Sequence, residues 1–173
     1  MSRLSLPPSG LAEDVLGLIK GMPDEIQIVT FSLDEQYGIP ISQVQEIIRI
    51  SSITRIPNSP SHMEGVINLR GRILPVLNLR KRLKMPVSDI TRKSRIIVTE
   101  INHKEIGLLV DAVLQVIKVP SELIDNAPEE VLDIDSDYIT GVCRLTKGLV
   151  ILLDLERLLR REQINLKEDV DIA

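Results

Sequence analysis

The sequence predicts a mainly β protein made of two small barrels or rolled sheets of one design. Three observations predict it. Short runs rich in β-branched residues recur between turns marked by Gly or Asp. Neither half carries the long amphipathic helices that an α/β sheet needs. And the chain repeats itself: stepping without a gap from Gly65/Gly141 to Leu83/Leu159, six of the 19 pairs are identical and three more are aliphatic swaps. Upstream of these blocks, Gly38-Ile39, Val44 and Ile48 match Gly107-Leu108, Val113 and Ile117 at a spacing of 69 residues. The order is thus A, B, A′, B′. Units of about 70 residues are too long for a solenoid and fit two small β domains.

The elements follow in order. Residues 1–25 form an extension. Pro7-Pro8-Ser9 is a lead, and Leu11, Val15, Leu18, Ile19 and Met22 then fall on one helical stripe. This predicts a helix over about 10–20, with Ser9 as N-cap, Glu13 and Asp14 in its first turns, and Lys20-Gly21 closing it. It packs on its own domain or docks a partner. Its acidic polar side fits a membrane surface poorly.

The first repeat spans about 26–90. Ile26 to Phe31 reads as a strand, Asp34-Glu35-Gln36 as a turn and Tyr37-Gly38-Ile39 as the return. Ser42 to Glu46 is expected to be a short helix. Glu64–Leu69 and Ile73–Leu79 form a hairpin whose tip is Arg70-Gly71-Arg72, where Gly71 can take the positive φ that a tight turn demands. Pro75 cannot donate to a ladder, so its strand is expected to be an edge or to carry a bulge. The apolar run Ile73-Leu74-Pro75-Val76-Leu77 predicts cover on both faces, one lining a barrel and one an inter-barrel seam. Arg80 to Lys84 is a helical turn ended by Pro86. The second repeat spans about 94–160; whether the barrels exchange strands stays open. The tail, 161–173, is polar and acidic. Gly38, Gly65, Gly71, Gly107 and Gly141 are the expected structural turn and repeat glycines.

Composition narrows the function. With 173 residues, 43% hydrophobic and 27% charged, the chain is ordinary for a soluble globular protein. A net charge of -4 and 2% aromatics argue against nucleic-acid binding, which wants a basic face and stacking rings. The single Cys143 cannot form an internal disulfide and fits a reducing cytosol. No apolar stretch is long enough for a bilayer span, and no signal peptide is read.

Catalytic and metal patterns are weak. Cys143 lies in an apolar run and reads as core. His103 sits in an Asn-His-Lys turn and His62 at a strand entrance; a hydrolase using His62 with Ser59 or Ser61 would still need an orienting group and an oxyanion pocket. Zinc would want closely spaced Cys or His ligands. Asp133, Asp135 and Asp137 alternate, but neither the turn glycine nor the bidentate Glu of a calcium loop follows. No phosphate loop is present. Arg80-Lys81-Arg82 is expected on a solvated helix face. No cofactor and no metal are expected.

What remains is charge beside apolar strands. Glu46 stands between Val44 and Ile47-Ile48, and Arg70 stands at the hairpin tip. Their counterparts in the second repeat are Gln115 and Thr146, so the charges occupy one copy only. An acid and an arginine at an apolar rim can meet as a bidentate pair. Such a pair is better explained as fixing geometry or presenting a surface than as adding stability. The alternative is that both point to water.

Several ordered segments resemble the CheW family of chemotaxis coupling proteins. They are Val44-Gln45-Glu46-Ile47, Arg55-Ile56-Pro57-Asn58-Ser59-Pro60, Gly65 through Gly71, Ile73 through Arg80, Gly107 through Asp111, and Tyr138 through Val142. The likeness covers about 26–160. It implies a pair of SH3-like β-barrels of five strands each, sharing a core. It implies a cytoplasmic adaptor without catalysis. Such an adaptor bridges the helical hairpin tips of chemoreceptors (methyl-accepting chemotaxis proteins) to the regulatory domain of a histidine kinase, and so supports kinase control and receptor-array assembly. On this resemblance Glu46 and Arg70 serve receptor coupling, and a receptor-binding groove is lined by Val44, Gln45, Ile47, Val113 and Val116. Recognition would be helix-in-groove. The kinase would dock end to end on a barrel, a contact that can close into rings, including rings with the chain's own kind. Neither nucleic-acid binding nor membrane insertion is implied. Some relatives place a kinase-touching aromatic near Ala127-Pro128-Glu129-Glu130; this chain has Glu129 and Glu130 there, a departure that puts this contact in doubt. A coupler for swimming and one for another motility array look alike at this level.

Overall fold

The computed structural model describes residues 24–126 and 138–159. The predicted N-terminal helix, the loop holding Glu129 and Glu130, the alternating aspartates and the C-terminal tail lie outside the described residues.

The fold is mainly β, with eleven strands among the described residues, few short helices and two sheets. In chain order they are β1 (Glu25–Leu33), β2 (Glu35–Pro40), β3 (Val44–Arg49), β4 (Met63–Leu69), β5 (Arg72–Asn78), β6 (Arg95–Ile101), β7 (Lys104–Val110), β8 (Ala112–Pro120), β9 (Ile124–Asp125), β10 (Ile139–Leu145) and β11 (Gly148–Leu153). A single turn, α1 (Leu79–Arg82), follows β5, and residues 155–159 are helical after β11.

One sheet runs β8-β1-β2-β11-β10-β9 and the other β3-β6-β7-β5-β4. The hairpin β1–β2 thus lies between β8 and β11, strands of the second repeat. Reciprocally, β6–β7 lies between β3 and β5 of the first. The two sheets share one blueprint. The parallel contact of β2 with β11 sets Gly38 against Leu152, and that of β7 with β5 sets Gly107 against Val76. Bulges fall at matched places, between Met63 and Gly65 and between Ile139 and Gly141.

Three apolar clusters explain the consecutive hydrophobic runs. Ile67, Leu74, Val76, Ile96, Val98 and Leu109 fill one side of the five-stranded sheet. Ile28, Val119, Cys143, Val150 and Leu152 fill one side of the six-stranded sheet. The largest cluster, built round Phe31, Leu77, Ile97, Leu108, Ile151 and Leu153, takes residues from both sheets. Neighbours on one strand alternate between clusters: Ile96 goes to its own sheet's cluster and Ile97 to the shared one. With a period of two and both faces covered, consecutive positions such as Ile96, Ile97 and Val98 are apolar.

Several expectations are corrected. Ser42 to Glu46 is not a helix: Ile41–Gln43 makes one 3-10 turn after Pro40, and Val44 onward is strand. The β-branched Val44, Ile47 and Ile48 favour that outcome. Pro75 lies on an internal strand; pairing with β7 begins only at Val76, and the bulge sits opposite, at Glu64 of β4. Ile73 is 68% exposed: it pairs with Asn68 at the hairpin's outer end, before β5 gains β7 as its second neighbour. Arg80 and Arg82 are buried rather than solvated. Arg80 is held by Asp34, Asp111 and the Pro86 carbonyl. The Arg82 guanidinium sits 4.6 Å from the centre of the Tyr138 ring and donates to the Leu158 carbonyl at 3.1 Å.

Candidate protein-interaction site

The hairpin tip is a two-residue turn between Leu69 and Arg72. Arg70 has φ 51° and Gly71 φ 83°, the doubly left-handed conformation that matches the twist of the flanking strands. The Asn68 side chain accepts from the Gly71 amide at 2.9 Å and braces it. Space around Gly71 is open, so its glycine serves the backbone angle alone.

From this turn Arg70 reaches Glu46 on β3. Both of its terminal nitrogens meet the carboxylate, the second at 3.4 Å. Of the sequence alternatives, pairing and solvation, the structure has the pair. Its reach carries a topological consequence. In a flat sheet, β3 and β5 would stand three strand spacings apart, about 14 Å. The pair therefore ties β3, at one edge of the five-stranded sheet, to the hairpin tip near its other edge. Hydrogen bonding from Arg70 holds the Glu46 carboxyl below its usual range, and Glu46 raises the guanidinium in return. The pair still faces solvent, with the Arg70 side chain 64% and Glu46 31% exposed. Beside it Arg72 pairs with Glu105, and Gln45 donates to Glu100. The uncharged Gln115 and Thr146 offer no such ion pair at the matching positions of the second repeat.

The predicted apolar residues occupy two edge strands. Val44 on β3 and Val113 on β8 are half-buried against the shared cluster. Further along the same strands Ile47 and Val116 are exposed. Ile47 pairs with Ile97, and Val116 with Val29, both members of the shared cluster. These four side chains therefore continue the seam's apolar surface outward at matched positions of the duplication. Leu114, also exposed, was missed: it is the extra residue of a bulge in β8, which no periodicity reveals.

The other predicted residues have structural places. Gly65 has φ 147° and its missing side chain admits the Thr54 carbonyl. Gly141 does the same for the Asp125 carbonyl. Gly38 and Gly107 face crowded interiors. Cys143 is buried, which raises its thiol. The His103 side chain is 98% exposed. Burial, aided by nearby Arg82, lowers His62. No group of three or more metal-ligating side chains occurs among the described residues. No described helix is long and apolar enough to cross a membrane.

Comparison with known proteins converges on one family. The family model described as "CheW-like domain" matches residues 27–163. A probable chemotaxis protein CheW of Rhizobium etli is 37% identical over 133 residues, covering 76% of this chain and 86% of its own. The chemotaxis protein CheW of Thermotoga maritima is 36% identical, covering 84% of this chain and 94% of its own. The crystal structure of the scaffolding protein TtCheW from Thermoanaerobacter tengcongensis superposes with a TM-score of 0.73 at 39% identity, over 80% of this chain and 90% of that one. On this evidence of sequence, fold and coverage, the chain belongs to the CheW-like domain family.

Proposed function

We propose that this chain is a non-catalytic chemotaxis adaptor. It couples the cytoplasmic helical tips of chemoreceptors to the regulatory domain of a histidine kinase and supports assembly of the receptor array. The interaction module is 26–160, with 1–25 and 161–173 outside it. The chain works in the cytoplasm, held at membrane arrays through its protein partners. The relatives named as chemotaxis proteins and the scaffold-named structural neighbour support this reading.

One observation carries it. Val44, Ile47, Val113 and Val116 extend a shared core outward along two edge strands, beside a solvent-facing Glu46–Arg70 pair. Apolar side chains framed by a fixed charge pair suit an amphipathic helix, which brings matching apolar teeth and a polar flank. A kinase seated end to end on a barrel would leave this surface free for the receptor.

The test is co-purification with a receptor signalling tip and a kinase, followed by kinase autophosphorylation with and without this chain. The adaptor reading expects a ternary complex and receptor-dependent kinase control that needs the chain. Kinase output indifferent to the chain would overturn it.

A further inference from the structure

We propose that Glu105 positions the Glu46–Arg70 pair by holding the neighbouring Arg72 away from it. The inference rests on the adaptor reading for its effect on receptor binding and on the structure for the pairing itself.

Two arginines flank Gly71 at the hairpin tip. Arg70 meets Glu46 of β3, and Arg72 meets Glu105 of β7. The two pairs are close enough to act on each other. Arg70 does most to lower the Glu46 carboxyl, and Arg72 adds to it. Glu46 does most to raise Arg70, and Glu105 adds to it. Either guanidinium has the fork that suits a carboxylate. With Arg72 engaged by Glu105, Glu46 is left to Arg70.

Stability does not account for Glu105. The pairing of β6 with β7 sets it directly opposite Glu100, and like charges so placed destabilise a sheet. The Arg72 pair adds little in return, because the Arg72 side chain is 52% exposed. The contact also lies outside the β5–β7 ladder, which pairs Val76 to Asn78 with Gly107 to Leu109. What Glu105 does achieve is one donor for each carboxylate: Gln45 serves Glu100, Arg72 serves Glu105 and Arg70 serves Glu46. Remove its charge and two guanidiniums compete for Glu46. The charge order that a receptor helix meets is then divided between two pairings. Apparent affinity falls with the fraction of chains in the competent one.

The experiment follows the Glu46 carboxyl by carbon NMR titration of the full chain. Arg70→Ala should raise the Glu46 midpoint, since Glu105 still holds Arg72. Adding Glu105→Gln should release Arg72 onto Glu46 and bring the midpoint down again. Loss of the Glu105 charge alone would also lower it, so Arg72→Ala is placed on both backgrounds. It should raise the midpoint much more when Glu105 is Gln than when it is Glu. An equal effect on the two backgrounds overturns the proposal. Binding gives the second readout. Glu105→Gln by itself should leave the melt in place and weaken a receptor helical hairpin by about 2–5-fold. Adding Arg72→Ala, which removes the competitor, should restore it. Full affinity in Glu105→Gln, or no rescue by Arg72→Ala, would also overturn the proposal. A hairpin that fails to bind even the unaltered chain defeats the receptor reading alone; the titration still decides what Glu105 does.

Discussion

Arg80 and Asp111 form an ion pair at the corner between β7 and β8, with the guanidinium Nε 3.0 and 3.1 Å from the two carboxylate oxygens. The same guanidinium donates to Asp34, in the turn between β1 and β2, and to the Pro86 carbonyl at 2.9 Å. One buried side chain thus ties α1, the β1–β2 turn and the β7–β8 corner. Its acids hold it charged, raising it above its usual range. Arg80→Ala should destabilise the chain by roughly 2–3 kcal/mol, since it strands acids that remain partly solvated. Arg80→Lys should recover little, because a single ammonium cannot fork between two carboxylates. Urea denaturation midpoints check both.

Asp34 gives this clamp a pH dependence. Hydrogen bonding from Arg80 lowers its carboxyl below the usual 3.8. A depressed folded pKa contributes stability above the unfolded value, and that stability is lost as pH falls through the folded one. Acid unfolding should therefore steepen below about pH 4, and Asp34→Asn should blunt that acid limb. Thermal melts across pH 2–6 measure it; identical acid limbs would refute the linkage.

His62 acts in a higher window. Burial disfavours its cation, and Arg82 adds repulsion, so its folded pKa lies below 6.5. The unfolded chain then binds more protons between the two values, and stability falls as pH drops through that interval. Imidazole proton shifts should show His62 titrating below 6.5 in the folded chain. A midpoint at or above that value contradicts the burial argument.

Arg70→Glu should keep the fold and lose receptor coupling. The pair is exposed, so its removal costs little stability, yet two acids would then confront each other between β3 and the hairpin tip. The prediction is a near-normal melt with lost receptor pulldown and lost kinase control. The double swap Glu46→Arg with Arg70→Glu should restore the pair without restoring the presented charge order. Unchanged coupling in Arg70→Glu would remove this pair from the site.

If β8 takes part in the proposed receptor contact, Val113 and Val116 should separate binding from stability. Val116→Asp adds a charge at an exposed position and should weaken receptor-hairpin binding at least tenfold with an unshifted melt. Val113→Asp, half-buried against the shared cluster, should also lose stability, by about 1–3 kcal/mol. Calorimetric binding and melts on both variants check the contrast.

Much of this was legible in the residues. The duplication could be read because matched glycines and apolar rhythm survive where backbones meet closely: Gly65 and Gly141 each admit a carbonyl that a side chain would block. Glu46 and Arg70 stood out because their counterparts, Gln115 and Thr146, carry no charge. The β3 start was misread because Ser42 to Glu46 is polar enough to pass for a helix, whereas β-branched neighbours and sheet pairing decide it. The Arg80 clamp was hidden because burial depends on Asp34 and Asp111, distant in sequence and brought together only by topology. Pro75 misled because the ladder it interrupts begins one residue later.

The reciprocal exchange of hairpins has a consequence for biogenesis. β1 and β2 leave the ribosome before their partners β8 and β11, which belong to the second repeat. Both edges of that hairpin stay unpaired until β8 and then β11 have been made. Neither repeat cut out by itself would own a complete sheet. Severing the gene at the midpoint would yield two halves that can mature only by finding each other.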